Sequence, residues 1–290
     1  GQGLRTLYSG TNKYTLVLDE GGVSTIQDDA SPVPENTAPA PSYLAERSYA
    51  PQNRYTHISP SANDSWYADR LMALNSSVSK DVTLTIDDYS PALNTASFGN
   101  SVIARMPNPR PKLRVNVWGG SNLPGNGLTE PDHHVLVEFN GTVVADESFD
   151  GLHEYPIETT LSNLRHGQNV VSVELPKDHG YQFDLVNLDS VTIQYPRLFK
   201  AENSGKNLSF ASAWGFFKVS ELKSEVVTVV RVDENRNGHL MLARAKGACS
   251  DGCVYFAGSM DGGDNAYYVA TNDGFMTPKI ELVDLSLIHI

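Results

Sequence analysis

The sequence predicts an all-β protein: a jelly-roll-like antiparallel β-sandwich followed by a second β-sandwich-like domain, with one short helix near residues 65–74. Three observations predict it. Leu113, Val115 and Val117 alternate with Arg114, Asn116 and Trp118, and Val135, Val137 and Phe139 repeat that two-residue period, which places alternate side chains on one face of a strand. Asn140-Gly141 follows the second run directly, a dipeptide that readily adopts the positive φ angles of a tight hairpin. Between residues 81 and 197, short candidate strands recur with Gly, Pro, Asn and Asp between them, and no helical period is sustained.

Taken in order, residues 1–80 open with strands expected at Tyr14–Leu18 and Val23–Ile26, separated by Glu20-Gly21-Gly22. The stretch DDASPVPENTAPAPS follows, and its prolines, which remove backbone donors and fix φ, read as an extended linker or surface-hugging arm. SWYADRLMAL, residues 65–74, spaces Trp66, Arg70, Leu71 and Leu74 near one helical face, with Asp64 as a cap. The middle domain, 81–197, holds strands expected at Val82–Ile86, Ser101–Met106, Leu113–Trp118, His134–Phe139, Thr142–Ala145, Tyr155–Thr160, Asn169–Leu175 and Val191–Tyr195. Residues 198–290 add Leu208–Ala211, Val226–Val232, Leu240–Ala243, Val254–Ala257, Tyr267–Ala270 and Lys279–Val283 as a second β unit. Whether 1–80 packs with 198–290 is open at this stage.

A formal net charge of −12 and a pI near 5.0 repel phosphate backbones, so nucleic acid is not an expected partner. No apolar run approaches the ~20 residues of a membrane helix, and membrane insertion is not expected. GQGLRTLYSG has no charged n-region or apolar core, which fits a secreted or cell-surface protein of bacterial extracellular type whose signal peptide has been removed. Cys249 and Cys253 lie four apart in GACSDGCVY. A metal site would need two more ligands and a catalytic thiol would need a nearby base, so a small disulfide pinning a loop is the simpler reading, and it favours an oxidising compartment.

Candidate sites are few. Asp132, His133 and His134 with Asp146 and Asp150 form the richest polar cluster, in which carboxylates and loop carbonyls could hold calcium; turn-capping roles explain the same residues without an ion. Asp233, Asn235, Asn237 and Gly238 match the opening of a calcium-binding loop. The closing position of such a loop is Arg244 here, where a bidentate Glu is required, so a hairpin turn is the competing reading. Asp261 and Asp264 sit in a third acidic turn that Gly262-Gly263 explains. Trp118, Tyr155 and Tyr181, with Phe183, are the rings available to stack on a sugar; burial in a core is the alternative role for each. No nucleophile–base pair is apparent.

Several stretches taken together resemble the region preceding the catalytic domain of gingipain-like cysteine peptidases. They are NDSWYADRLMA (63–73), VNVWGGSN (115–122), DHHVLVEFNGTVVADESFDG (132–151), LPKDHGYQFDLVNLDSVTIQYPR (175–197) and the closing VYFAG, AYYVAT and PKIELV. The resemblance implies a non-catalytic, propeptide-like or structural region whose partner is its own downstream peptidase domain, with the final LVDLSLIHI approaching that domain's first strand. The family's catalytic histidine and cysteine each end an apolar strand. His166-Gly167 and His179-Gly180 both sit in polar turns, and neither cysteine ends such a strand, so the catalytic pair has no positions here to land on. No catalytic residue and no organic cofactor is expected, with calcium the one candidate ion. The alternative function is a carbohydrate- or cell-surface-binding sandwich.

Overall fold

The computed structural model describes residues 27–29, 38–56, 65–95, 110–123, 130–212, 215–224, 226–243, 252–258 and 265–275. In chain order the first strands are β1 (Gln27–Asp29), β2 (Tyr43–Tyr49), β3 (Arg54–Tyr55), β4 (Trp66–Tyr67), β5 (Asp69–Ala73) and β6 (Val78–Ile86). The middle of the chain supplies β7 (Lys112–Gly119), β8 (His133–Phe139), β9 (Thr142–Phe149), β10 (Glu154–Thr160), β11 (Gly167–Leu175) and β12 (Asp184–Arg197). The remainder gives β13 (Asn207–Ser212), β14 (Phe216–Val219), β15 (Val227–Val232), β16 (Gly238–Met241), β17 (Val254–Ala257) and β18 (Asn265–Thr271). Among the described residues the only helical segments are short 3-10 turns at Pro91–Thr95 and Asn272–Gly274. The protein is all-β, as expected. Strands expected at 14–18, 23–26, 101–106 and 279–283 lie outside the described residues.

Two sheets face each other across the middle of the chain. One runs β10-β7-β12-β2, with β5 beside β2 on the same flank of β12; the other runs β6-β11-β8-β9. Their inner faces are set by alternation: Val115 and Val117, Val135 and Val137, and Val171 and Val173 are all fully buried. Sequestering a Val or Ile in this way contributes about 1.5–3 kcal/mol.

β12 is the spine of the first sheet. It pairs with β7 along one side and with β5, then β2, along the other. Its inward residues are Val186 and Leu188 in the first half but Val191, Ile193 and Tyr195 in the second, so the parity changes partway. The register against β7 shifts between Leu188 and Ser190 at that point. A one-residue slip sends every later side chain to the other face, and a bulge absorbs it. The bulge thus keeps both halves apolar inward.

The helix expected over 65–74 is replaced by β4 and β5, separated at Ala68. Leu71 and Ala73 are buried while Arg70, Met72 and Leu74 are exposed, a two-residue period. Helix-forming residues occupy the segment, but pairing of Asp69–Ala73 with β12 overrides propensity. The Asn140-Gly141 hairpin forms as expected between β8 and β9: Asn140 has φ 50° and Gly141 φ 78°. A second irregularity follows, where Val137 pairs with Ala145 but Glu138 pairs with Val143, leaving Val144 as the extra residue of β9.

The C-terminal strands form a sheet ordered β1-β16-β15-β18-β13 and the pair β14-β17. Their core is aromatic: Phe210, Phe217, Phe256 and Tyr267 lie with ring centroids 5.1–6.4 Å apart. Tyr43 of β2 joins it, 5.4 Å from Phe210 and 5.0 Å from Phe199. Ala40, at the end of the Pro-rich stretch, donates its backbone N–H to the Phe216 carbonyl at 2.8 Å.

Arg197, the last residue of β12, is buried at this junction. Its guanidinium donates to Asp88 (2.8 Å), to the Tyr43 hydroxyl (2.6 Å) and to Glu202. Burial disfavours its charge, yet Tyr43, Asp88 and Glu202 outweigh that and hold its pKa above the usual arginine value. Burial also pushes the Tyr43 phenol up to about 12. Removing one partner of a buried charge network costs about 3–5 kcal/mol. Because Asp88 and Glu202 retain some water, Arg197→Leu should fall at the low end of that range, measured as a lowered urea midpoint with an unchanged slope.

Candidate functional site

One rim of the sandwich gathers the start of β8, the end of β9, the loop after β7 and the start of β12. His133 is the centre of it and is fully buried. Its Nδ1 lies 2.7 Å from an Asp184 carboxylate oxygen and its Nε2 lies 3.2 Å from the Ser121 carbonyl. Both facing oxygens accept only, so each ring nitrogen must carry a proton and the ring is an imidazolium. Burial works against that charge. The hydrogen bond and charge of Asp184, with Asp132 3.6 Å away, overcome it and raise the histidine above its ordinary value. The other Asp184 oxygen accepts the His134 backbone N–H at 3.1 Å.

Asp132 serves the loops. Its carboxylate accepts the backbone N–H groups of Leu123 (2.9 Å) and Gly151 (2.8 Å), while its own N–H donates to Asp150 at 2.9 Å. Gly119, at the end of β7, permits this close packing: a Cβ there would stand 2.0 Å from the Gly151 carbonyl oxygen and 2.7 Å from His133 Nε2.

His134 turns the other way, toward the surface. Its Nε2 is 2.8 Å from Asp146 of β9 and its Nδ1 is 2.7 Å from Asp178 in the β11–β12 loop. Burial again opposes the charged ring, and the two carboxylates again prevail, raising its pKa. His179 stacks on it with centroids 4.9 Å apart and planes 11° from parallel. His134, Asp178 and His179 each offer one metal-ligating atom, all within 4.8 Å of one another.

The calcium candidates therefore divide. Asp132 and Asp150 are brought together, but as acceptors of backbone N–H groups; Asp146 belongs to His134 instead. Asp233, Asn235 and Asn237 lie in the turn between β15 and β16, far along the chain in the C-terminal sheet. There Asp233 accepts the Asn237 backbone N–H at 2.7 Å and its side-chain amide at 3.1 Å, and meets His239 at 3.2 Å, the bonding of a hairpin turn. Asp261 and Asp264 lie outside the described residues.

Trp118 and Tyr181 are enclosed, each 8% exposed, while Tyr155 is half-buried with one face stacked on Phe149 at 4.5 Å. The Tyr181 hydroxyl donates to the Glu130 carbonyl at 2.7 Å. Cys253 is buried and disulfide-bonded, while Cys249 lies outside the described residues. Sequence reasoning passed over Asp184 and Asp178, and placed His179 in a polar turn without connecting it to His134. Asp184 lies 51 residues from His133, and its one local signal is a carboxylate at the head of an apolar run.

Against known proteins, no family model matches and no curated protein matches. Among solved structures, the dimeric latent PorU of Porphyromonas gingivalis is similar in fold: TM-score 0.52, 13% identity, 84% of this chain and 22% of that one. The likeness establishes a shared β-sandwich fold, and this chain spans only about a fifth of PorU's length. A CBM36-1 domain of a xylanase from the hindgut metagenome of Trinervitermes trinervoides aligns at TM-score 0.30 and 12% identity, over 51% of this chain and 96% of that one. The β-D-glucuronidase of Dictyoglomus thermophilum aligns at 0.25 and 14%, over 63% and 31%. Both are too distant to bear on this chain. Among the described residues, no helix is long and apolar enough to cross a membrane.

Two outcomes follow from the geometry. Asp184→Ala strands a buried imidazolium and should cost about 3–5 kcal/mol in urea unfolding, while Asp184→Ala with His133→Leu should recover part of that loss. For Asp233, bonding by Asn237 overrides burial and lowers the carboxyl to about 2, below its unfolded value of 3.8. The turn's stabilisation is thus complete above pH 3.8 and lost as pH falls toward 2, and a carbon-13 titration of Asp233 should give its midpoint near 2.

Proposed function

We propose that this chain is a non-catalytic N-terminal region of a secreted gingipain-like cysteine peptidase. In this reading it packs beside the peptidase domain and either supports its folding or restrains it as a propeptide does. The observation that carries the reading is the likeness in fold to PorU, a gingipain-related protein, across 84% of the chain. The sequence resemblance to gingipain-like peptidases, strongest through the middle sandwich of residues 81–197, points the same way without using the fold. The chemistry of the rim is compatible with a supporting role. His133 is fully buried with both nitrogens engaged, so it has no free lone pair to act as a base, and Cys253, held in a disulfide, offers no thiolate.

The test joins gene and protein. The coding sequence after Ile290 should encode a caspase-like domain with a histidine and a cysteine each ending an apolar strand. That domain, produced separately, should bind this chain in gel filtration, and its peptide hydrolysis or refolding yield should change when the chain is added. This chain alone should hydrolyse no peptide. A gene with no such domain, or a domain that ignores the chain in both assays, would overturn the proposal.

A further inference from the structure

We infer that His134, Asp178 and His179 form a site for a divalent transition-metal ion of the zinc class, clamping the β11–β12 loop onto the β8–β9 hairpin. The inference is independent of the peptidase reading. Four observations carry it. First, the donor set mixes two imidazoles with one carboxylate, which suits zinc and its neighbours and does not suit calcium, a cation that takes oxygen ligands. Second, the three donor atoms already lie within 4.8 Å of one another, and tetrahedral zinc at ~2.0–2.2 Å from each needs a spacing of roughly 3.3 Å. Binding would part His134 Nδ1 from Asp178, now 2.7 Å away, and draw the wider spacings in by rotation of the loop side chains.

Third, the outer shell is in place. A metal-bound histidine characteristically donates its second ring N–H to a carboxylate, which fixes its orientation and strengthens it as a ligand. His134 has the matching partner: Asp146 holds Nε2 at 2.8 Å, and a bound ion would displace to solvent the proton that Nδ1 shares with Asp178 at 2.7 Å. Fourth, His179 is aligned over His134, yet its Nδ1 is buried with no hydrogen-bond partner, a cost that a bound ion or a rotated ring would relieve. A cavity of about 10 Å³ adjoins the three side chains, enough for one small occupant.

The surrounding charges also favour a cation. Asp132, Asp146, Asp178 and Asp184 stand near, and the opposing ammonium of Lys177 is tethered to the Tyr181 carbonyl at 2.5 Å. Asp132 and Asp184 are already committed to backbone groups and to His133, whose charge offsets part of theirs, so they contribute no ligand. Water would complete the coordination. Bound metal would join two segments distant in sequence, the β8–β9 hairpin and the loop that leads into β12.

The experiment uses the whole chain, stripped with chelator and titrated with zinc against a chromophoric competitor. One equivalent should bind, and cobalt(II) in place of zinc should develop visible absorption bands of a low-symmetry, nitrogen-bearing site. His179→Ala and Asp178→Asn, both in the loop, should each weaken zinc binding at least tenfold with the circular dichroism spectrum unchanged, and Asp146→Asn should weaken it about tenfold through orientation alone. His166→Ala, an exposed turn histidine outside the cluster, should bind as the parent does. Zinc binding that is equally tight in His179→Ala, or a folded parent chain that takes up no zinc at micromolar ion, would overturn the assignment.

Discussion

The inward phase of β12 is the constraint on which the rest depends. This one strand of 14 residues makes the ladder with β7, β5 and β2, and at ~3.3 Å per residue it spans roughly 45 Å. Its two ends carry the two buried charge networks: Asp184, the first residue, holds the His133 imidazolium, and Arg197, the last, gathers Asp88, Glu202 and Tyr43. The bulge between Leu188 and Ser190 lets a single strand turn Val186 and Leu188 inward in its first half and Val191, Ile193 and Tyr195 inward in its second. Without the re-phasing, Val191, Ile193 and Tyr195 would face water.

Both networks bury a cation, His133 at one end and Arg197 at the other, which is expensive unless its donors are answered. At the rim the answer is nearly complete. Asp184 takes one ring proton and one backbone N–H; Asp132 takes two loop N–H groups; and the Ser121 carbonyl closes the imidazolium. The result is a rigid scaffold that positions His134 without flexibility to spare, since its backbone is fixed by Asp184 and its ring by Asp146 and Asp178. Such preorganisation suits a place where loops must be held still, whether for an ion or for a neighbouring domain.

Much of this was legible in the sequence, for physical reasons that can be named. β8 and β11, and β7 as far as Val117, alternate cleanly because each buries one face, and the hairpin at Asn140-Gly141 follows from a dipeptide tolerant of positive φ. The failures come from tertiary context. SWYADRLMAL satisfies a helical spacing and a strand spacing at once, and the partner that decides between them, β12, lies more than a hundred residues away. The first half of β12 escaped notice because its two-residue period breaks at the bulge. At the rim, the Asp132–His134 cluster was visible as a run of polar residues, but its partners Asp178 and His179 in the β11–β12 loop and Asp184 at the head of β12 are brought near only by the sheet order. Chemistry assembled across strands leaves no local trace.

β9 closes one side of its sheet among the described strands, and its extra residue, Val144, has a meaning beyond register. A straight terminal strand displays a row of unmet amides that a second molecule can extend, the first step toward fibrous association. The kink at Val144 interrupts that row, and Asp146 and Glu147 lie just beyond it, adding charge that a like strand would have to bury or repel. A hairpin of such strong β character can therefore form early and still remain a poor template for its own kind. That local irregularity is a guard against edge-to-edge association.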